Sequence, residues 1–197
     1  MVAHALGATH ARGPYVDQVG AGAGPADLAV RARPVPAPSR ASTPFEVVAE
    51  HIAPRESDRA LLVQMSIFLE ARARASGDSA VVLSTFQHAS NVTRGAARRY
   101  LDLAEHCALV MVHVDGPTPV FDGSDVRVTS IASDDPLLQE WDIVVLTADF
   151  AAVLVARELD PSRHGAGVYD FSLSHDRELA LEAARALLRR SAGAATP

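Results

Sequence analysis

From Phe45 onward the apolar positions recur with the periods of regular structure, and the period changes several times along the chain. Phe45–Ile52 is a short apolar run, helix or strand, closed by Pro54. Ser57 is placed to cap a helix through Ala75 in which Leu61, Leu62, Met65, Phe68 and Leu69 share a face, with Gly77 just past its end. Ala80–Phe86 predicts a buried strand. Thr93 caps a second helix to about His106, with Ala96, Tyr100, Leu103 and Ala104 aligned inward. Ala108–Val114 predicts the next strand, closed by Asp115-Gly116-Pro117, and a turn at Asp122-Gly123 precedes another at Val126–Ile131. Asp134-Asp135-Pro136 opens a short helical turn with proline at its first position. Trp141–Thr147 has an uninterrupted apolar core, the pattern of a strand covered on both faces. Phe150–Leu159 predicts a helix. Val168–Leu173 alternates as a half-exposed strand does, and a last helix runs from Ser174 or His175 to Arg190, burying Leu179, Ala183, Ala186 and Leu187.

Strands and helices interleave, so the expected architecture is α/β: a single domain over 44–190 with a mixed, mainly parallel sheet of about five strands and flanking helices. The sheet is expected to be mixed because Val126–Ile131 reaches Trp141–Thr147 without a full crossover helix. Residues 1–43 are rich in Ala, Gly and Pro and poor in large apolar side chains, which predicts a disordered tail, with a docking arm as the alternative. Residues 191–197 are expected to be a flexible C-terminus. A chain of 197 residues with 48% hydrophobic content has enough material for one full core and too little for two ordinary domains. There is no apolar run of membrane-spanning length, and the first residues do not read as a secretory signal. The single cysteine, Cys107, excludes an intramolecular disulfide and a Cys-rich zinc site and suits a reducing cytoplasm. The net charge of −6 argues against a nucleic-acid surface spread over the whole protein.

Phosphate-loop, dinucleotide, nucleophile-elbow and HExxH signatures are all missing from the sequence, and no catalytic or metal residue is assigned. Asp134-Asp135 reads as a helix start more readily than as a metal site. His88, His106 and His113 read as unrelated core or surface residues, Cys107 and Trp141 as core. Arg94, Arg98 and Arg99 form a basic patch on one helix, a solvated face or an anion contact. The expected ligand-binding set is Phe86 and Gln87 at one strand end, Thr147 and Phe150 at another, and His175 and Asp176 at the start of the last helix. The reason is topological, since free backbone N–H groups of helices that follow parallel strands face a common crevice. Gln87, Thr147 and His175 would supply directional hydrogen bonds, and Phe86 and Phe150 apolar walls. His175-Asp176 has a structural alternative as turn and helix N-terminus.

Several segments taken together resemble the DICT sensory domain, named for diguanylate cyclases and two-component systems. The resemblance is carried by LLVQMSIFLEARA, by STFQ at Ser84–Gln87, by ARRYLDLAEHCALVMV at Ala97–Val112, by DDPLLQEWDIVVLTADFAAVLVARELD at Asp134–Asp160 and by YDFSLSHDRELALEAARALLRR at Tyr169–Arg190. It implies a sensory or regulatory protein of bacterial signal transduction, but it assigns no cofactor, ligand or catalytic residue. The expected mode of action is binding a small-molecule signal or a regulatory protein partner in trans, with homodimerisation possible, and without nucleic-acid or membrane contact. A scaffold or dimerisation module and a small enzyme are the alternatives.

Overall fold

Thr43 sets the first helix of the computed structural model, which describes residues 42–193. The tail expected over 1–43 lies outside the described residues except for Ser42 and Thr43, and 194–197 also lie outside them. Thr43 is fully buried. Its hydroxyl accepts the Glu46 amide hydrogen at 3.3 Å, while the Glu46 carboxylate accepts from the Thr43 amide at 3.0 Å, a reciprocal cap on α1 (Pro44–Ala49). β1 (Arg55–Asp58) leads into α2 (Arg59–Ser76). The cap of α2 is Asp58, whose carboxylate accepts from Leu61 N at 2.9 Å; Ser57, expected in that role, lies within β1. β2 (Val81–His88) follows, then α3 (Arg94–Ala104) capped by Thr93, β3 (Leu109–Asp115) and β4 (Val126–Ser130). The chain continues as β5 (Glu140–Leu146), β6 (Ala151–Glu158), a one-turn α4 (Pro161–His164), β7 (Val168–Ser174) and α5 (Arg177–Gly193).

The seven strands form one sheet in the order β1-β7-β6-β5-β2-β3-β4. β2, β3 and β4 run parallel, and every other neighbouring pair is antiparallel. The expectation of about five strands in a mainly parallel sheet is therefore corrected to seven strands, mostly antiparallel. Two segments account for the difference. β6 occupies most of the segment expected to be a helix; apart from two valines its sequence, AAVLVARE, consists of good helix formers. Its residues from Ala151 to Ala156 are all buried, because helices cover both sides of the sheet there, so no period of two shows in the sequence. Pairing with β5 and β7 overrides propensity. With β6 a strand, residues 147–150 become a tight turn, and a turn that short enforces antiparallel pairing. β1 is a four-residue edge strand of polar residues, RESD, and carries no apolar signal.

Helices cover both faces. On one side α2 and α3 bury Leu62, Leu69, Tyr100 and Leu103 against Val112, Ile143 and Leu154. On the other, α1 and α5 bury Phe45, Val48 and Leu187 against Leu83, Val144, Val153 and Val155. Successive residues of β6 thus serve opposite cores, Leu154 one and Val153 and Val155 the other. β2 and β5 join the parallel strands to the antiparallel ones through four residue pairs only, from Val81↔Leu146 to Ser84↔Ile143. Beyond Ser84 the two strands part. Between Thr85 and Gln87 the register of β2 against β3 also shifts, leaving Phe86 as the extra residue of a bulge.

Candidate functional site

The parting of β2 and β5 opens a cleft of about 250 Å³ under α2 and α3. Arg59, Val63, Ser66 and Glu70 fall on one stripe of α2 and form one wall. Ala96, Arg99 and Tyr100 of α3 form the facing wall, with Asn91 and Thr93 ahead of them. The sheet supplies Thr85, Phe86 and Gln87 from β2 and Trp141, Asp142 and Ile143 from β5.

The bulge is fixed by side chains. Gln87 has φ 57°, the left-handed region that residues with a Cβ seldom occupy. Asn91 Nδ2 holds it there by donating to Gln87 Oε1 and to the Phe86 carbonyl, both at 3.0 Å. Thr85 Oγ1 accepts the Asp142 amide hydrogen at 2.7 Å and lies 3.0 Å from the Glu140 carbonyl, replacing ladder bonds lost where the strands part. Phe86 sets its ring edge-on to Tyr100, centroids 5.0 Å apart. The Tyr100 hydroxyl is 2.5 Å from Ser84 Oγ, and burial pushes its ionisation far up, so it remains a neutral phenol.

The charges of the cleft are partly tied down. Glu70 is buried, and Arg99 Nε donates to its carboxylate at 2.5 Å. Burial raises the Glu70 carboxyl, and the Arg99 hydrogen bond and charge draw it back. Asp142 is fully enclosed; burial first, and then the charge of Glu140, push its carboxyl well above the usual range, against the hydrogen bond from Thr85. Burial thus favours the neutral form of Asp142. Glu140, two residues earlier on β5, accepts from Phe45 N at 3.0 Å and from Arg157 Nη2 at 2.6 Å. Arg59 reaches no carboxylate among the described residues and lies over the Trp141 ring, 5.6 Å from its centroid.

Two buried polar atoms of cleft residues have no hydrogen-bond partner: Ser66 Oγ and Asp142 Oδ1. Ser66 is 6% exposed and Asp142 0%. An unsatisfied buried polar group costs about 1–3 kcal/mol, so two in one cleft mark it as built to meet something.

The six residues expected to bind ligand do not share a crevice. Phe86 and Gln87 line the cleft. Thr147 and Phe150 form the β5–β6 turn, where Phe150 N donates to Thr147 Oγ1 at 2.9 Å. His175 packs on Phe150 with ring centroids 5.4 Å apart, and Arg177 of α5 donates to the Thr147 carbonyl at 2.6 Å. Asp176 caps α5 by accepting from Leu179 N at 3.0 Å and borders a separate hollow beside His51, Glu178 and Glu182. Because β5 runs antiparallel to β2, Leu146 at its end pairs with Val81 at the start of β2, and Gln87 lies at the opposite end. Reversal of one strand separates the two groups.

The remaining candidates fall as follows. Arg94 and Arg98 are exposed, while Arg99 turns inward to Glu70, so the three do not form one patch. Asp135 caps the turn at Leu137 and pairs with Arg190 at 2.9 Å. His113 is fully buried between β3 and α5, with Nε2 3.1 Å from the Leu187 carbonyl. His88 pairs with Asp115 at the surface. His106 lies with Asp102 and Glu105 in a group of ligand-type atoms within 4.8 Å of one another, in which Asp102 is already ion-paired with Arg74. Cys107 is half-buried against the α2/α3 core. Trp141 also packs on that core but reaches the cleft. Among the described residues no helix is long and apolar enough to cross a membrane.

A family model described as the sensory domain in diguanylate cyclases and two-component systems matches residues 46–159, from α1 through β6 and including every residue of the cleft. Among curated proteins and solved structures, none matches the chain. With more than half of its length matched, the chain belongs to the DICT family of sensory domains in signalling proteins.

Proposed function

We propose that this DICT domain senses a small molecule bound in the cleft between α2, α3 and the β2–β5 parting, and that a regulatory partner protein in the cytoplasm reads its occupancy. The observation that carries the reading is the pair of unpartnered, buried polar atoms, Ser66 Oγ and Asp142 Oδ1, in a cleft also lined by a residue in a left-handed conformation, Gln87. Binding without turnover fits the ties on the ionisable groups: Glu70 is engaged by Arg99, and Asp142, whose neutral form burial favours, is bonded to Thr85. A scaffold that binds no small molecule has no use for such a cleft.

The test is a thermal-shift screen of small metabolites against the full chain, since a ligand held only by the native state raises apparent stability. Trp141 is the only tryptophan and lines the cleft, so a true occupant also changes its fluorescence. Ser66→Ala should leave the unliganded protein as stable as the parent or more so, and should weaken the hit. Hits that stabilise the protein without touching Trp141 fluorescence, and that are indifferent to Ser66→Ala, would place the sensing elsewhere.

A further inference from the structure

We infer that the cleft, on the sensing role proposed for it, takes a small aromatic carboxylate. The hydrogen-bonding capacity that the fold leaves over is mostly donor. Arg99 engages Glu70 through Nε, which leaves its Nη groups for another acceptor. Arg59 has no carboxylate partner among the described residues and lies over Trp141 at the cleft wall. Gln87 uses its Oε1 to receive Asn91, leaving its amide N–H groups to donate. The Ser66 hydroxyl is unpartnered.

The charge balance points the same way. Two arginines line the cleft and one of them, Arg99, is ion-paired with Glu70, while burial favours the neutral form of Asp142. Arg59 is left as a cation of the cleft with no carboxylate partner among the described residues, in a protein whose net charge is −6. Guanidinium groups match a carboxylate through paired N–H bonds, and a single anionic charge balances the site without excess. Beside Thr85, Asn91 and Thr93, the lining holds three aromatic rings, Phe86, Tyr100 and Trp141, with Val63 and Ile143, which suits a flat hydrocarbon body. At about 250 Å³ the cleft lies below the range of sites for drug-sized ligands, so a single ring with its acid group is the fitting size.

Benzoate, benzamide, benzylamine and phenyl phosphate share a ring and differ in charge. Titrated into the full chain at millimolar concentrations, with Trp141 fluorescence and melting temperature as readouts, benzoate should bind about tenfold or more tighter than benzamide, with benzylamine weakest. Phenyl phosphate, a dianion, should bind less tightly than benzoate. Arg59→Gln, which leaves the buried Glu70–Arg99 pair intact, should weaken benzoate about fivefold or more and leave benzamide unchanged. Benzamide or benzylamine binding as well as benzoate, or benzoate indifferent to Arg59→Gln, would overturn the carboxylate assignment while the sensing role stands. Tighter binding of phenyl phosphate would replace carboxylate by phosphate as the anion. No response of Trp141 to any of the four would also overturn the assignment, and the sensing role would then be decided by the metabolite screen and Ser66→Ala alone.

Discussion

The Thr85 hydroxyl accepts the Asp142 amide hydrogen at 2.7 Å, so a side chain of β2 completes the hydrogen bonding of β5 at the point where the strands part. Both groups are buried. Thr85→Val keeps the shape and removes the acceptor, leaving the Asp142 N–H unpaired and the Asp142 carboxyl without its one donor. A loss of about 1–3 kcal/mol in unfolding free energy is expected, read by denaturant melting. An unchanged midpoint would mean that the parting is held by other contacts.

Gln87→Gly separates conformation from chemistry. Glycine adopts φ 57° without the penalty of about 1–2 kcal/mol that a Cβ incurs there, which offsets the lost bond from Asn91. Stability is expected to stay within about 1 kcal/mol of the parent, while any ligand response in Trp141 fluorescence is reduced. A variant that melts much earlier would show that Asn91 and Gln87 hold the bulge for the fold.

Arg157→Met removes the cation that meets buried Glu140. Arg157 is about a third exposed, so the cost is discounted to about 2 kcal/mol at neutral pH, below the figure for a fully buried pair. The sign with pH follows from Glu140. Burial raises its folded carboxyl above 4.5, so the stability it contributes is present below 4.5 and lost as pH rises through the folded value. Without Arg157 that rise is larger. The variant should therefore lie closer to the parent in acid than near neutrality, measured by melting at both.

His113 works in the opposite sense. Burial, more than the charge of Arg190, lowers it from 6.5 to about 4, against hydrogen bonds to the backbone of Leu187 and Ser84 and the charge of Asp135. The folded protein keeps it neutral while the unfolded chain takes up a proton. Its contribution is complete above 6.5 and is lost as pH falls toward 4, amounting to about 2 kcal/mol at pH 5. The raised carboxyls of Glu70, Glu140 and Asp142 act the other way over the acid range, so the difference between parent and His113→Gln isolates the histidine. The parent should lose more stability than the variant on acidification; parallel curves would overturn this assignment.

Much of the layer architecture is readable from residues. Thr93 marks the start of α3 by its hydroxyl cap, and the apolar runs of β2, β3 and β5 carry the pattern of covered strands. β6 is not readable this way, since an Ala-rich segment covered on both faces shows neither a helical stripe nor alternation. The direction of β5 hangs on that one assignment, and with it the separation of Thr147 and His175 from Gln87. The cleft is half visible: Phe86 and Gln87 stand at a strand end, but Ser66 and Glu70 belong to no motif. Their signal is position. They sit between and beside Leu62, Leu69 and Ala73 on the inward side of α2, where a polar residue is unexpected unless it meets a partner.

The joint between β2 and β5 has four residue pairs, against seven for β2–β3 and seven for β5–β6. No neighbouring pair of strands has fewer, β1–β7 at the edge having four as well, and the β2–β5 joint divides the parallel strands from the antiparallel ones. Partial opening of a native protein follows such lines of weak pairing, so amide hydrogens along 81–84 and 143–146 are expected to exchange with solvent earlier than those of the neighbouring ladders. A molecule lodged where the joint parts touches both strands at once. Its arrival would slow exchange on either side of the line together, making the two halves one unit of opening.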